Sequence, residues 1–176
     1  MRLFSALVPP ADVLDQVESI VAPLRRDTRV RWMPREDWHI TTSFFGEVDS
    51  AASGTLLEEL GWAAERSPLD ALRLANGTEF HGKALVLEVS GDTEGLGELA
   101  RRSNRAGQRA GLDLPHRRFR PHLTIARSNR PRDLSALVSQ LLGRSTSSWV
   151  PSELVLMESR RTGDLRYHRV AHWSLG

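Results

Sequence analysis

Apolar positions along this chain follow two rhythms, one of period two and one near 3.6, and the switches between them outline its elements. Residues 2–8 are largely apolar and stop at Pro9-Pro10, which predicts a strand ended by residues that cannot continue a ladder. Val13, Leu14, Val17, Ile20, Val21 and Leu24 then recur at helical spacing, with Asp12 expected as the cap. Residues 29–32 read as a short extended piece and 34–37 as a turn. A strand follows at 39–45, closed by Gly46, and then a helix at 50–66 with Leu56, Leu57, Leu60 and Ala64 inward, broken at Ser67-Pro68. Strands at 69–74 and 84–89 flank Asn76-Gly77, a turn signal. The helix expected at 94–110 ends at Gly111 and carries Arg101, Arg102, Arg105 and Arg109 on its outer face. A strand at 120–127 is followed by a helix at 133–142, capped by Asp133 and ended by Gly143. A hairpin of 153–159 and 166–173 turns at Thr162-Gly163-Asp164.

The order of these elements repeats although the residues do not: a helix, a strand, a helix and two strands, twice. Paired adjacent strands point to antiparallel hairpins rather than a doubly wound parallel sheet. The expected fold is α+β and bilobal, a single domain over residues 1–176. Its two pseudo-symmetric, intertwined lobes would each have an antiparallel sheet and outer helices, with a central cleft between them.

The two corresponding strands, 39–45 and 120–127, share a phrase. His39-Ile40-Thr41 recurs as His122-Leu123-Thr124, 83 positions later. Strand side chains alternate faces, so each His shares a face with the Thr two residues on, while Ile40 and Leu123 point the other way toward a core. Two converging imidazoles can act as a general acid and a general base. By the same parity Arg120 shares the face of His122, Phe45 shares the face of His39, and Arg127 falls on the opposite face unless the strand has ended. Trp32, Trp38, His81, His116, His168 and His172 read as packing, rim or surface residues. A zinc site is the other use of paired His, but no His/Glu spacing on a helix supports it.

Composition narrows this picture. Hydrophobic residues at 40% and charged residues at 26% describe a soluble globular chain. No Cys is present, which removes thiol chemistry and suits a reducing compartment. The start lacks an apolar run long enough for a signal peptide, and no run approaches the ~20 residues of a membrane span. The expectation is a cytoplasmic monomer with no membrane association and no obligate protein partner. The net charge of +2 divides into −5 for residues 1–88 and +7 for residues 89–176, almost all of the positive charge being Arg. Arg presents a fork suited to phosphate oxygens, so the imbalance favours an anionic ligand.

On these residues and their flanks the chain resembles the 2H phosphoesterase superfamily. Within it the resemblance is to the RNA 2′,3′-cyclic phosphodiesterases, historically called 2′-5′ RNA ligases. The similarity runs from Arg2–Val8 through Arg31-Trp32-Met33-Pro34, Trp38-His39-Ile40-Thr41 and Phe44-Phe45-Gly46-Glu47-Val48. It continues in Phe119-Arg120-Pro121-His122-Leu123-Thr124-Ile125-Ala126-Arg127 and ends in the hairpin with Leu154–Ser159, Gly163 and Tyr167. Thr42 departs from it, standing where an apolar residue is usual. The resemblance implies metal- and cofactor-free hydrolysis of RNA 2′,3′-cyclic phosphate ends, or of cyclic nucleotides, to a 2′-phosphate, with weak reverse 2′-5′ ligation. It makes His39 and His122 catalytic, with His39 written as acid and His122 as base, an order that the sequence does not distinguish. Thr41, Thr124, Arg120 and, less directly, Arg127 would hold phosphate, and Phe45 could stack on a base. Another cyclic or 2′-5′ phosphodiester, or a noncatalytic RNA-end binding module, remains open at this point.

Overall fold

Strand β1 (Arg2–Leu7) is buried from Leu3 onward, which places it inside a sheet. The structure, a computed structural model, describes residues 1–163 and 166–176. In it β1 pairs antiparallel with β3 (Ile40–Glu47) on one side and with β7 (Glu153–Ser159) on the other. The sheet has eight strands in the order β4-β5-β6-β3-β1-β7-β8, with β2 (Arg31–Trp32) also on β6 (His122–Arg127). The outer strands are β4 (Leu72–Phe80) with β5 (Ala84–Gly91), and β8 (Tyr167–Ser174).

This α+β sheet is two halves meeting at its middle. One half is β3-β1-β7-β8; the other is β4-β5-β6 with β2. They join where Ile40 pairs with Leu123, the single paired position between β3 and β6. The motif strands are therefore neighbours in one sheet, and the lobes' sheets are continuous there. On the far face, α2 (Ser50–Glu65) and α3 (Thr93–Arg109) pack on each other, against β8 and β3 respectively. Helix α4 (Ser135–Leu141) packs on β4, and α1 (Ala11–Val21) sends Val13, Val17, Ile20 and Val21 into the same apolar core. Helix α3 approaches β3 closely at Gly107, where a Cβ would lie 2.9 Å from Phe45 Cδ1 and 2.7 Å from Leu114 Cδ1.

Several local expectations change. Pro10, not Asp12, precedes α1, and Asp12 sits in the first turn without a capping bond. The turn between β4 and β5 is at His81-Gly82, both at positive φ (54° and 66°), with Lys83 N–H donating to the Phe80 carbonyl. Two consecutive left-handed residues match the twist of a hairpin. Asn76-Gly77 lies inside β4 at a register shift, so its left-handed residue (Asn76, φ 60°) makes a bulge instead of the turn. Of the last hairpin's expected turn, Asp164 lies outside the described residues.

Two bulges matter most. Between the pairs Ser5–Ser43 and Ala6–Thr41, β3 carries Thr42 as an extra residue; between Leu85–Ala126 and Val86–Thr124, β6 carries Ile125. Each bulge comes directly after the Thr of a His-x-Thr phrase and reverses the face parity beyond it. Thr42, the departure from the usual apolar residue, is 3% exposed, and its hydroxyl is hydrogen-bonded to Ser5 Oγ at 2.7 Å. A buried hydroxyl that loses its partner costs about 1–3 kcal/mol, whereas removing both partners is close to neutral. Thr42→Val is thus expected to destabilise the protein by about that amount, and adding Ser5→Ala to recover most of it. Urea unfolding of the two single variants and the double reads this directly; additive losses would show that the pair contributes nothing jointly.

Candidate active site

The pairing of Ile40 with Leu123 sets the geometry of the site. Both central residues are fully buried on the helix side, so their neighbours point to the open face. Continued by one residue, the antiparallel register sets His39 across from Thr124 and Thr41 across from His122. Two imidazoles and two hydroxyls thus stand together on one face, related by a pseudo-twofold axis through Ile40 and Leu123.

Each imidazole is held in the same way. His39 Nδ1 lies 2.8 Å from the Asp37 carbonyl and His122 Nδ1 2.7 Å from the Arg120 carbonyl. A carbonyl can only accept, so Nδ1 carries the hydrogen in both rings and the neutral form presents a bare Nε2 to the open face. The chain positions these carbonyls by leaving the sheet just before each motif. A 3-10 turn at Arg35–Asp37 interrupts the run along the edge of β6, and β6 begins only at His122. Arg120 therefore lies outside the strand that was expected to contain it.

Aromatic rings enclose both imidazoles. Phe4 is 4.8 Å from the His39 ring and Tyr167 meets it edge-on at 5.1 Å; Phe80 meets the His122 ring at 4.8 Å and 90°. Burial among these groups disfavours the charged form. His39 is lowered from 6.5 to about 4, first by desolvation, against the pull of the Asp37 carbonyl and with the charges of Arg127, His122 and Arg166 adding to the fall. His122 is lowered too, again first by desolvation, opposed by the Arg120 carbonyl and reinforced by Arg127 and Arg120. Both shifts favour the neutral imidazole in the free protein. Asp37 is itself pushed up by burial, partly offset by Arg166 and Arg31.

The bulges decide which later residues reach this face. Past Ile125, Ala126 stays buried and Arg127 turns into the cleft, reversing the parity expectation. Past Thr42, Ser43 donates to Asn104 Oδ1 on α3, and Phe44 turns into the cleft. Phe45, expected on the His39 face, is a core residue at 4% exposure, packed against α3 at Gly107. Phe44, 44% exposed with Arg2 over its ring at 5.1 Å, takes the cleft position instead. Arg120 lays its guanidinium over Phe80 at 4.5 Å, beside His122.

A cavity of about 760 Å³ opens on the His39 side, lined by His39, Thr41, Phe4, Phe44, Tyr167 and Arg127 among others. A second, of about 670 Å³, opens beside His122, with Phe80, Arg118 and Arg120. Sequence reasoning missed Phe4, Tyr167 and Arg31 as cleft residues, and periodicity held no signal for them. Trp38 is core, and Trp32 donates its indole N–H to the Asp27 carbonyl. Among the described residues no group of three or more His, Asp or Glu is placed to hold a metal ion, and no helix is long and apolar enough to cross a membrane.

Replacing Arg127 with Gln removes a positive charge that disfavours both imidazolium forms. The expected result is that His39 and His122 both titrate at higher pH in R127Q than in the wild type, followed by proton NMR of the ring hydrogens. Unchanged titration of both would show that Arg127 does not reach the pair.

The family model described as the 2′-5′ RNA ligase superfamily matches residues 9–163. An RNA 2′,3′-cyclic phosphodiesterase of Geobacillus stearothermophilus is 34% identical over 150 residues, covering 82% of this chain and 47% of that protein. The chain thus spans about half the length of this curated relative. Among solved structures, E. coli LigT complexed with 3′-AMP superposes with a TM-score of 0.82 at 23% identity, covering 99% of this chain and 97% of that one. A Thermus thermophilus protein, TT0787, superposes with a TM-score of 0.78 at 23% identity, covering 99% and 98%. These two likenesses are of fold.

Proposed function

The chain belongs to the 2′-5′ RNA ligase superfamily, and from that premise we propose that it hydrolyses RNA 2′,3′-cyclic phosphate ends by paired-histidine acid–base catalysis. One observation carries the proposal. Two imidazoles stand on one face with Nε2 free, each with a Thr hydroxyl two residues on, and the β6 bulge turns Arg127 toward them. The name of the Geobacillus relative and the 3′-AMP held by E. coli LigT are in keeping with such a substrate.

The reaction needs a proton taken from water on one side of the phosphorus and a proton given to the departing ribose oxygen on the other. The apolar lining by Phe4, Phe44 and Tyr167 lies on the His39 side and suits the nucleoside. His39 therefore lies beside the ribose and protonates O3′, and His122 activates the water. Thr41 and Thr124 donate to the nonbridging oxygens, and Arg127 meets the charge that grows on the pentacoordinate phosphorus. Arg120, its guanidinium laid over Phe80, serves the rim beside His122.

Burial keeps His39 neutral in the free protein, so the substrate must help to protonate it. An anionic phosphodiester entering a water-poor cleft stabilises imidazolium strongly, and so raises the group that must act as acid. With a 5′-hydroxyl in place of water, the same path run forward joins the 5′ oxygen to phosphorus as the P–O3′ bond breaks, which gives a 2′-5′ linkage as a weak side reaction.

His39→Ala and His122→Ala are each expected to lower kcat/KM on a 2′,3′-cyclic mononucleotide by about 10²–10⁴-fold with the fold retained. The wild-type bell for kcat/KM should peak below pH ~6.5, since both free-enzyme values are depressed, and the bell for kcat should lie higher because bound phosphate raises both. A folded single variant with near wild-type turnover would rule out the two-histidine mechanism. Phosphorus NMR of the cleaved cyclic mononucleotide is expected to show a 2′-phosphate. A 3′-phosphate would put the leaving oxygen beside His122 and reverse the orientation argued from the aromatic lining.

A further inference from the structure

The cleft on the His39 side holds more positive charge than one phosphodiester can use. Arg31, Arg127, Arg161 and Arg166 all line it. Arg31 and Arg127 are direct cross-strand partners between β2 and β6, so two like charges stand opposite each other, a destabilising pairing unless an anion lies near. Among the described residues, none of these four has a carboxylate within ion-pair distance. Of the two acidic residues lining the cavity, Asp37 is buried and pushed toward its neutral form. The outer face of α3 is different. There Arg101 and Arg102 pair with Glu98, and Arg109 pairs with Glu59. Arg31, Arg127, Arg161 and Arg166 thus line one cavity without an ion-pair partner among the described residues.

The reacting phosphate carries one charge and is met by Arg127 and two hydroxyls. Arg31 stands one strand further from the motif than Arg127, and Arg161 and Arg166 come from the β7–β8 hairpin. A mononucleotide cyclic phosphate brings nothing for them, whereas each further nucleotide of an RNA chain brings one phosphate. We infer that this side of the cleft is a strand-binding site for single-stranded RNA, with Arg31, Arg161 and Arg166 holding backbone phosphates 5′ of the nucleotide that reacts. The polarity follows from the nucleoside lying on the His39 side, so the inference rests on the function proposed above. The ribose and its 5′ phosphate then lead into the Arg-lined cavity, away from His122.

The test compares a hexanucleotide ending in a 2′,3′-cyclic phosphate with a 2′,3′-cyclic mononucleotide. The hexanucleotide is expected to show the higher kcat/KM. Its advantage should fall with salt at a log–log slope of about −0.7 per phosphate held, roughly sevenfold between about 50 and about 200 mM for two phosphates. R31Q/R161Q should bring the advantage toward unity and flatten that slope, while R101Q/R105Q on α3 should leave both in place. Equal kcat/KM for the two substrates, or an advantage that survives R31Q/R161Q, overturns the inference. So does a loss in R31Q/R161Q that is equal for both substrates, because Arg31 would then serve the reacting phosphate. Fluorescence anisotropy with a labelled hexanucleotide ending in a 2′-phosphate reads the strand site without turnover. Salt-sensitive binding that weakens in R31Q/R161Q supports the strand site even if neither substrate is cleaved, in which case the proposed activity fails alone. Binding unchanged by R31Q/R161Q overturns the strand site.

Discussion

Everything at the centre of this protein depends on one backbone pairing, that of Ile40 with Leu123. It is where two half-sheets become one, and it fixes the relative height of β3 and β6 to the residue. Sheet side chains have a period of two, so a slip of one position would send one of the two imidazoles into the helix-side core and its apolar neighbour to the open face. The core enforces the register, because Ile40 and Leu123 are completely buried and burying such a side chain is worth about 1.5–3 kcal/mol. The positions of the catalytic candidates are thus consequences of packing on the opposite face.

The bulges extend that logic. A regular strand would continue alternating past each Thr and present Ser43 and Ala126 to the cleft. The extra residue at Thr42 and at Ile125 changes the order to cleft, core, core, cleft, so Phe44 and Arg127 arrive where regular alternation would put their neighbours. The two halves use one backbone device and different side chains. An aromatic residue ends one motif and a cation ends the other, which makes a pseudo-symmetric scaffold chemically one-sided.

The electrostatics follow from this crowding. Placing imidazoles among Phe4, Tyr167 and Phe80, with the charge of Arg127 acting on both, favours their neutral form. Such a site is poised for an anion. Its own cations disfavour a resident proton, and a bound anion would relieve their repulsion and favour imidazolium. The charge on the outer face of α3 lacks this character, since Arg101, Arg102 and Arg109 are paired with glutamates in solvent, where such pairs contribute little.

The sequence by itself determined the strands and helices whose apolar spacing is regular, the repeat in their order, and the two His-x-Thr faces, because periodicity is a local property and each motif spans only three residues. It also located the candidate histidines and threonines and, of the arginines that could meet an anion, Arg120 and Arg127, but not Arg31, Arg161 or Arg166. Three decisions lay beyond it. That the motif strands are hydrogen-bonded neighbours depends on a pairing between residues 83 positions apart. That Phe44 and not Phe45 faces the cleft, and that Arg127 turns inward, depends on bulges set by the register of β1 and β5, strands that carry no motif. That Asn76-Gly77 bulges while His81-Gly82 turns depends on where β5 can pair with β4, a choice between two local signals of similar strength. In each case the deciding interaction is nonlocal: a strand's neighbour, rather than its own residues, fixes which way its side chains point.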